Sequence, residues 1–472
     1  MKTNLKLFLT GLLFLSSILV SCSDSDDDLD DKAGESEEAP VLTQKLNSHI
    51  YANVEDLYLW NNKVPDDIDI KYEHDSKAFF DKLLYKTDDK WSYLTDEAEN
   101  LVRGYSGVET SFGYNLAFVL LGNNVDVVAV VLFVYPDSPA EKAGLKRGDL
   151  IMTCNAQQLN RNNYTDLIYF NSVELGLAYL DGNYIREKGT TVSLAAERMY
   201  LDPVNTWKVI RKNGHKIGYL CYTDFVTDSH DKLAQVFAEF KSEGVTDLVL
   251  DLRYNPGGAA LTPPYLASFI APSSVLAEKT LFLSEDWNHN YNLYWSLIGE
   301  NRSQYFHQDI PTNLNLNRVY VLTTSGSASA SEATISGLMP YMNVVKIGTT
   351  THGKYCGAAL LQFRDKDNKL VKDLENWAMS LIVYRFINKD GFTEFKNGIA
   401  PDYEVEDDIF DTYPLGDVKD PHLAKAIELI TGNHSPVLSG IRTPKAPEGS
   451  TRLPFEQTRR YPLYGNMVDV IE

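Results

Sequence analysis

Cysteine is scarce in this 472-residue chain, which has four and no C-x-x-C pair. Beyond Cys22 only Cys154, Cys221 and Cys356 remain, an odd number that supports neither a disulfide framework nor a cysteine-rich zinc site. The nine histidines are scattered, no H-E-x-x-H occurs, and no metal or cofactor is expected. Positive charge is deficient: 44 lysines and arginines face 65 acids, for a net −21. With no basic stripe to neutralise phosphates, nucleic acid is not an expected partner. No apolar run is long enough to span a membrane comfortably. The longest at the N-terminus, Leu7 to Val20, follows Lys2 and Lys6 and has the length of a signal-peptide core.

That run ends in Leu19-Val20-Ser21-Cys22, which resembles the lipobox of bacterial lipoproteins. The resemblance implies a signal over 1–22, lipidation at Cys22 and a membrane anchor. From Asp24 to Glu38 come nine acids and one lysine, a composition that cannot bury apolar surface, so 23–40 is expected to be a solvated linker. Its start resembles the surface-export signal of some Gram-negative lipoproteins, which implies an outer-membrane, surface-exposed location. Leu42, Leu46, Ile50, Val54 and Leu57 then recur at helical spacing, and a second helical pattern covers 76–84. Residues 41–105 therefore read as a small N-terminal helical unit, with Trp60 and Trp91 as packing residues.

From 106 to 200 the pattern turns to β-rich runs between glycine turns. "SPAEKAGLKRGDLI", starting at Ser138, gives a short helix closed by Gly144 and a tight turn into a strand. This stretch resembles the signature of PDZ domains, with "GTTVSLAAER" (189–198) as their closing strand. The resemblance implies docking of an extended peptide beside a loop at Phe112, Gly113 and Tyr114.

Beyond 200, apolar strands alternate with helices, the pattern of an α/β layered domain whose chemistry gathers at strand ends. "DLVLDL" (247–252) runs into "RYNPGG", "RVYVLTT" (318–324) into "SGSASASE", and "NVVKIG" (343–348) into "TTTHGK". The serine turn has two compatible readings. Ser329-Ala-Ser-Glu332 fits a helix capping box, and its hydroxyl at a helix start can also act as a nucleophile beside free amides. Gly348 to Lys354 fits the spacing of a phosphate loop, but Tyr355 stands where Ser or Thr must hold magnesium, and a strand pattern follows instead of a helix.

D-L-R-x-N-x-G-G, S-A-S-A-S-E, G-K and G-I-x-P-D occur in this order between 251 and 402, and resemble the catalytic domain of the S41 C-terminal processing peptidases. The resemblance covers 215–432 and implies a layered crotonase/ClpP-like catalytic domain over 201–435, followed by a tail over 436–472 in which no pattern is legible. It implies Ser329 as nucleophile, Lys354 as base, and the N–H groups of Gly258 and Ala330 as oxyanion donors. The expected partner is a peptide or protein substrate. A lysine acts as base only when neutral, and bringing it from ~10.4 to near 7 takes roughly 5 kcal/mol of differential desolvation. The family's glutamine four positions after the lysine is replaced by Ala358. Gln362 and His352 are therefore candidates for a third member and an alternative base, respectively. A catalytically inactive, peptide-binding surface lipoprotein on the same scaffold is the alternative.

Overall fold

The apolar runs at 247–251, 318–323 and 343–348 pair side by side in parallel in a computed structural model of the chain. The structure describes residues 37–104, 106–277, 279–393, 395–433, 446–453 and 467–470; the signal segment, Cys22 and the linker to residue 36 lie outside it. These strands are nearly all buried, as a parallel sheet covered on both faces requires. The sheet has six strands. Val204–Lys212 and His215–Tyr222 form a hairpin at one edge, joined by Asn213-Gly214 with both residues at positive φ, and Tyr403–Glu404 closes the other edge.

A second six-stranded sheet is built mainly from Leu281–Trp287, Ala378–Asn388 and Cys356–Gln362, all antiparallel. The helix Ala330–Leu338 lies between the sheets and touches strands of both, so all nine of its residues are buried. On the far face of the first sheet packs Pro421–Thr431, started by Asp420 and ended at Gly432 in the left-handed conformation. The expected layered α/β architecture is what folds.

Residues 106–200 form most of a seven-stranded sheet with its own core around Phe118, Val131 and Ile151. The N-terminal helices Val41–Leu57, Ser76–Leu83 and Ala98–Gly104 are less separate than their sequence pattern suggests. Leu46, Ile50, Phe79 and Phe80 share one core with the catalytic layers, and Tyr93–Thr95 pairs with Ala378–Ser380 of the second sheet. The unit is thus a structural part of the layered domain. The tail is also partly placed. Thr451–Arg452 pairs with Val119 and Leu120 of the seven-stranded sheet, and Met467–Val470 runs parallel to Cys356–Gln362.

Candidate active site

The turn after Thr323 is held by its small hydroxyls. Ser327 Oγ donates to Leu252 O at 2.8 Å, Ser331 Oγ donates to Asn255 O at 2.9 Å, and Thr324 Oγ1 donates to Arg253 O. All three bonds reach the loop after Asp251, so the serine turn and the N-P-G-G turn are locked together. At Ser329 the backbone takes φ 54° and ψ −106°, a region that L-residues avoid without support. The support is Glu332, whose Oε2 accepts the Ser329 N–H at 2.8 Å. A buried nucleophile candidate thus stands at the first turn of a helix, on a strained strand-to-helix corner.

Opposite it lies the glycine pair. A side chain on Gly257 would stand 2.9 Å from Ser329 Cβ and 3.1 Å from Ala330 N, and its φ is 113°. Only a glycine lets this backbone approach so closely. Gly257 N–H is already bonded to Asn255 Oδ1 at 2.9 Å, and Gly257 O accepts from Phe225 N–H at 2.8 Å. Ala330 N–H belongs to the first helical turn, whose amides have no intrahelical acceptor.

Lys354 reaches the same place from the third strand end and is fully buried. Glu332 brings it there. Its Oε2 also accepts Lys354 N–H at 2.9 Å, while Oε1 accepts Gly353 N–H at 2.6 Å and Thr351 Oγ1 at 2.5 Å. One carboxylate oxygen therefore holds the backbones of both Ser329 and Lys354. The G-I-x-P-D segment explains itself here as well: Ile399 N–H donates to Thr351 Oγ1 at 2.7 Å, and Gly353 packs on the Lys396 carbonyl. Burial lowers the Lys354 amine to about 7, with Cys356, Asp89 and Glu332 pulling in the opposite direction. Burial likewise raises Glu332 to about 7 against the pull of its four donors. Those donors occupy both of its oxygens, so the geometry suits the carboxylate.

The remaining sequence candidates fall elsewhere. Gln362 ends the lysine strand four positions past Ala358, about 13 Å further along. It pairs with Ala378 and does not take the place of the family's glutamine. His352 does lie at the site, but its Nε2 receives the Trp91 indole N–H at 3.4 Å. Trp91 is more than a packing residue, because its ring centroid lies 5.8 Å from Lys354 Nζ. Phe112 and Tyr114 line a cavity with Leu167, Ile168 and Phe170, but the Tyr114 hydroxyl is already bonded to Leu167 O and Gly113 N–H to Ser111 Oγ. Sequence reading missed Glu332's second role and the approach of residues 89–91. The capping-box pattern gave only half of the first and nothing gave the second.

The family description Peptidase family S41 matches residues 216–405, and Peptidase S41 N-terminal domain matches 45–93. The chain belongs to peptidase family S41. This S41 peptidase is 25% identical over 358 residues to the carboxyl-terminal-processing protease of Picosynechococcus, covering 72% of this chain and 76% of the relative. It is 25% identical over 298 residues to a carboxy-terminal processing protease of Bacillus subtilis, covering 62% of this chain and 55%, just over half, of that relative. Among solved structures, a Bacteroides fragilis chain assigned to the S41 proteases superposes with a TM-score of 0.67 at 26% identity, covering 82% of this chain and 97% of that one. Membership makes the protein a serine-type peptidase acting on a peptide or protein.

Proposed function

We propose that the protein is a serine endopeptidase that cuts exported proteins or peptides through Ser329 and Lys354. Neutral Lys354 Nζ takes the Ser329 Oγ proton as Oγ bonds to the scissile carbonyl carbon. The carbonyl oxygen becomes an oxyanion received by the N–H groups of Ala330 and Gly258; Gly258 is chosen because Gly257 N–H is already engaged by Asn255. Collapse breaks the C–N bond, the leaving amine takes the proton from Lys354, and an acyl-enzyme remains on Ser329. Water then attacks that ester, Lys354 takes its proton, and the acid is released with the serine hydroxyl restored.

The observation that carries this reading is a fully buried amine, lowered to about 7 by desolvation, whose backbone shares one Glu332 oxygen with the nucleophile's backbone. The sheet domain at 106–200 is read as a PDZ-type module that presents an extended peptide, with the cavity beside Phe112 and Leu167 receiving a side chain. Lipidation at Cys22 would hold the enzyme on the outer membrane; Cys22→Ala should move it to the soluble fraction. The decisive experiment is labelling with a fluorophosphonate probe alongside peptide cleavage. Wild-type protein should be acylated at Ser329, and Ser329→Ala should neither label nor cleave while keeping its melting temperature. An unlabelled, folded wild-type protein would instead establish the inactive peptide-binding scaffold.

A further inference from the structure

The position that carries glutamine in the family resemblance is Ala358, buried and without a polar side-chain atom. Its partner across the sheet is Ile382. The N-terminal unit comes down on that same residue: Ser92 Oγ accepts Ile382 N–H at 2.9 Å, and Leu59 N–H donates to Ile382 O at 3.0 Å. The turn anchored there, Asp88 to Ser92, carries Trp91 to within 5.8 Å of Lys354 Nζ.

Two residues before Trp91 stands Asp89, only 1% exposed. Its Oδ1 accepts the N–H groups of Trp91 and Ser92, both at 2.9 Å, and its Oδ2 accepts the Tyr58 hydroxyl at 2.8 Å. Tyr58 is fixed in turn, since its oxygen accepts Tyr85 N–H at 3.0 Å. A buried carboxylate is thus pinned by three donors on an element that belongs to neither catalytic strand, and its charge acts on both Lys354 and Cys356.

The other polar groups around the amine are differently engaged. Glu332 has both oxygens bonded to backbone and Thr351, Cys356 is kept a thiol by burial, and His352 Nε2 faces the Trp91 indole.

Resting on the Ser329–Lys354 reading, we propose that Asp89 is a positioning residue, supplied by the N-terminal unit, whose fixed negative charge sets the strength of Lys354 as a base in place of the absent glutamine. The physical reason is a balance. Desolvation alone makes a lysine easy to deprotonate but a feeble proton acceptor, and general-base catalysis is best when the base titrates near the working pH. A carboxylate fixed on the turn that carries Trp91 to the amine pulls the amine's titration upward against desolvation. It also gives the N-terminal unit a chemical task besides shutting out water.

The test is the pH dependence of fluorophosphonate acylation of Ser329 in the full-length protein. Asp89→Asn keeps the shape and the two backbone bonds but removes the charge. Its acid limb should move to lower pH by about one unit, and its plateau rate should fall about tenfold. Peptide KM should change less than twofold, because Asp89 acts through the base. Asp89→Glu should return the limb toward the wild-type position. An unmoved limb in Asp89→Asn overturns the proposal and leaves Asp89 a purely structural capping residue. The midpoint is read from the active fraction alone, so partial misfolding does not obscure it; Asp89→Ser, which keeps a short acceptor, gives a second reading of the same shift. Lys354→Ala separates the two layers. Acylation that persists there with an unchanged limb removes the lysine base itself, whereas loss of labelling there with an unmoved limb in Asp89→Asn removes only the role of Asp89.

Discussion

Lys354 and Arg253 are equally dry, at 0% and 1% exposure, and both follow strands of the same parallel sheet. Their surroundings pull their titration in opposite directions. Arg253 donates to Asp251 through Nε at 3.0 Å and Nη2 at 2.7 Å, and to Asp420 through Nη1 at 2.8 Å. Burial would raise Asp420, but Arg253 and His422 hold it below the usual carboxylate range, while burial and Arg253 push His422 down to about 4. Asp89 and Glu332, the carboxylates that act on Lys354, are both turned to other donors, and an indole ring centroid lies 5.8 Å from the amine. A buried cation that is bonded to carboxylates stays charged and joins elements, here the D-L-R strand end to the helix at 421–431. A buried cation whose carboxylates are occupied elsewhere gives up its proton more readily, which is what the proposed base requires.

Exchanging the two chemistries should have the largest effect. Lys354→Arg places a guanidinium that cannot deprotonate where the proposed mechanism needs a base, so cleavage should fall at least ~10⁴-fold with the fold intact. Steady-state peptide hydrolysis measures it; residual activity within tenfold of wild type would remove the lysine from the reaction.

Stability should respond in opposite directions at the two sites. Arg253→Met leaves Asp251 and Asp420 buried without their partner and should cost about 3–5 kcal/mol. Lys354→Met should instead stabilise the protein at pH 7 by a few kcal/mol, because the folded state holds the amine well below its unfolded value of ~10.4. The sign follows from linkage. The penalty is absent above the unfolded value, grows as pH falls toward about 7, and is constant below that. Thermal melts between pH 6 and about 10.5 should therefore show the gain for Lys354→Met shrinking to nothing at the alkaline end, and the loss for Arg253→Met persisting across neutral pH.

The turn that joins the two sites comes next in size. In Gly257→Ala the new methyl would stand 2.9 Å from Ser329 Cβ and 3.1 Å from Ala330 N, on a φ of 113°. If this turn receives the oxyanion, kcat should fall about 10²–10³-fold with a smaller change in KM. A loss confined to KM would place the turn in substrate binding alone.

What the sequence disclosed about these sites follows the range of each interaction. Ser329, Lys354 and the Gly257-Gly258 pair were legible because each sits in a short motif at the end of an apolar strand, where local pattern and chemistry coincide. The strands were legible for the same reason, since continuous apolar runs suit a sheet covered on both faces. Glu332 was half-legible. Its capping of Ser329 is local, but its hold on Lys354 spans 22 positions and appears only once two strand ends are neighbours. Trp91 and Asp89 reach the lysine from more than 250 positions upstream, and nothing in their own stretch distinguishes packing from a site. The shared core of the N-terminal helices was hidden in a similar way: Leu46, Ile50 and Val54 mark a buried face without saying what covers it. Pairing of Met467–Val470 with the lysine strand is likewise invisible in a tail without periodicity.

His352 gives the smallest effect and the sharpest check on which group is the base. It is two residues from Lys354, but its Nε2 takes the Trp91 indole N–H at 3.4 Å, and its backbone N–H is tied to Ser327 O at 3.0 Å. An indole nitrogen can only donate, so that ring nitrogen serves as an acceptor in the resting site and the imidazole steadies Trp91 over the amine. His352→Ala should thus lower kcat/KM only about threefold, through looser cover of Lys354, and should move the acid limb slightly upward as water gains access to the amine. A limb abolished by His352→Ala and retained in Lys354→Ala would reverse the assignment: the imidazole would be the base, and the burial of Lys354 would serve the fold.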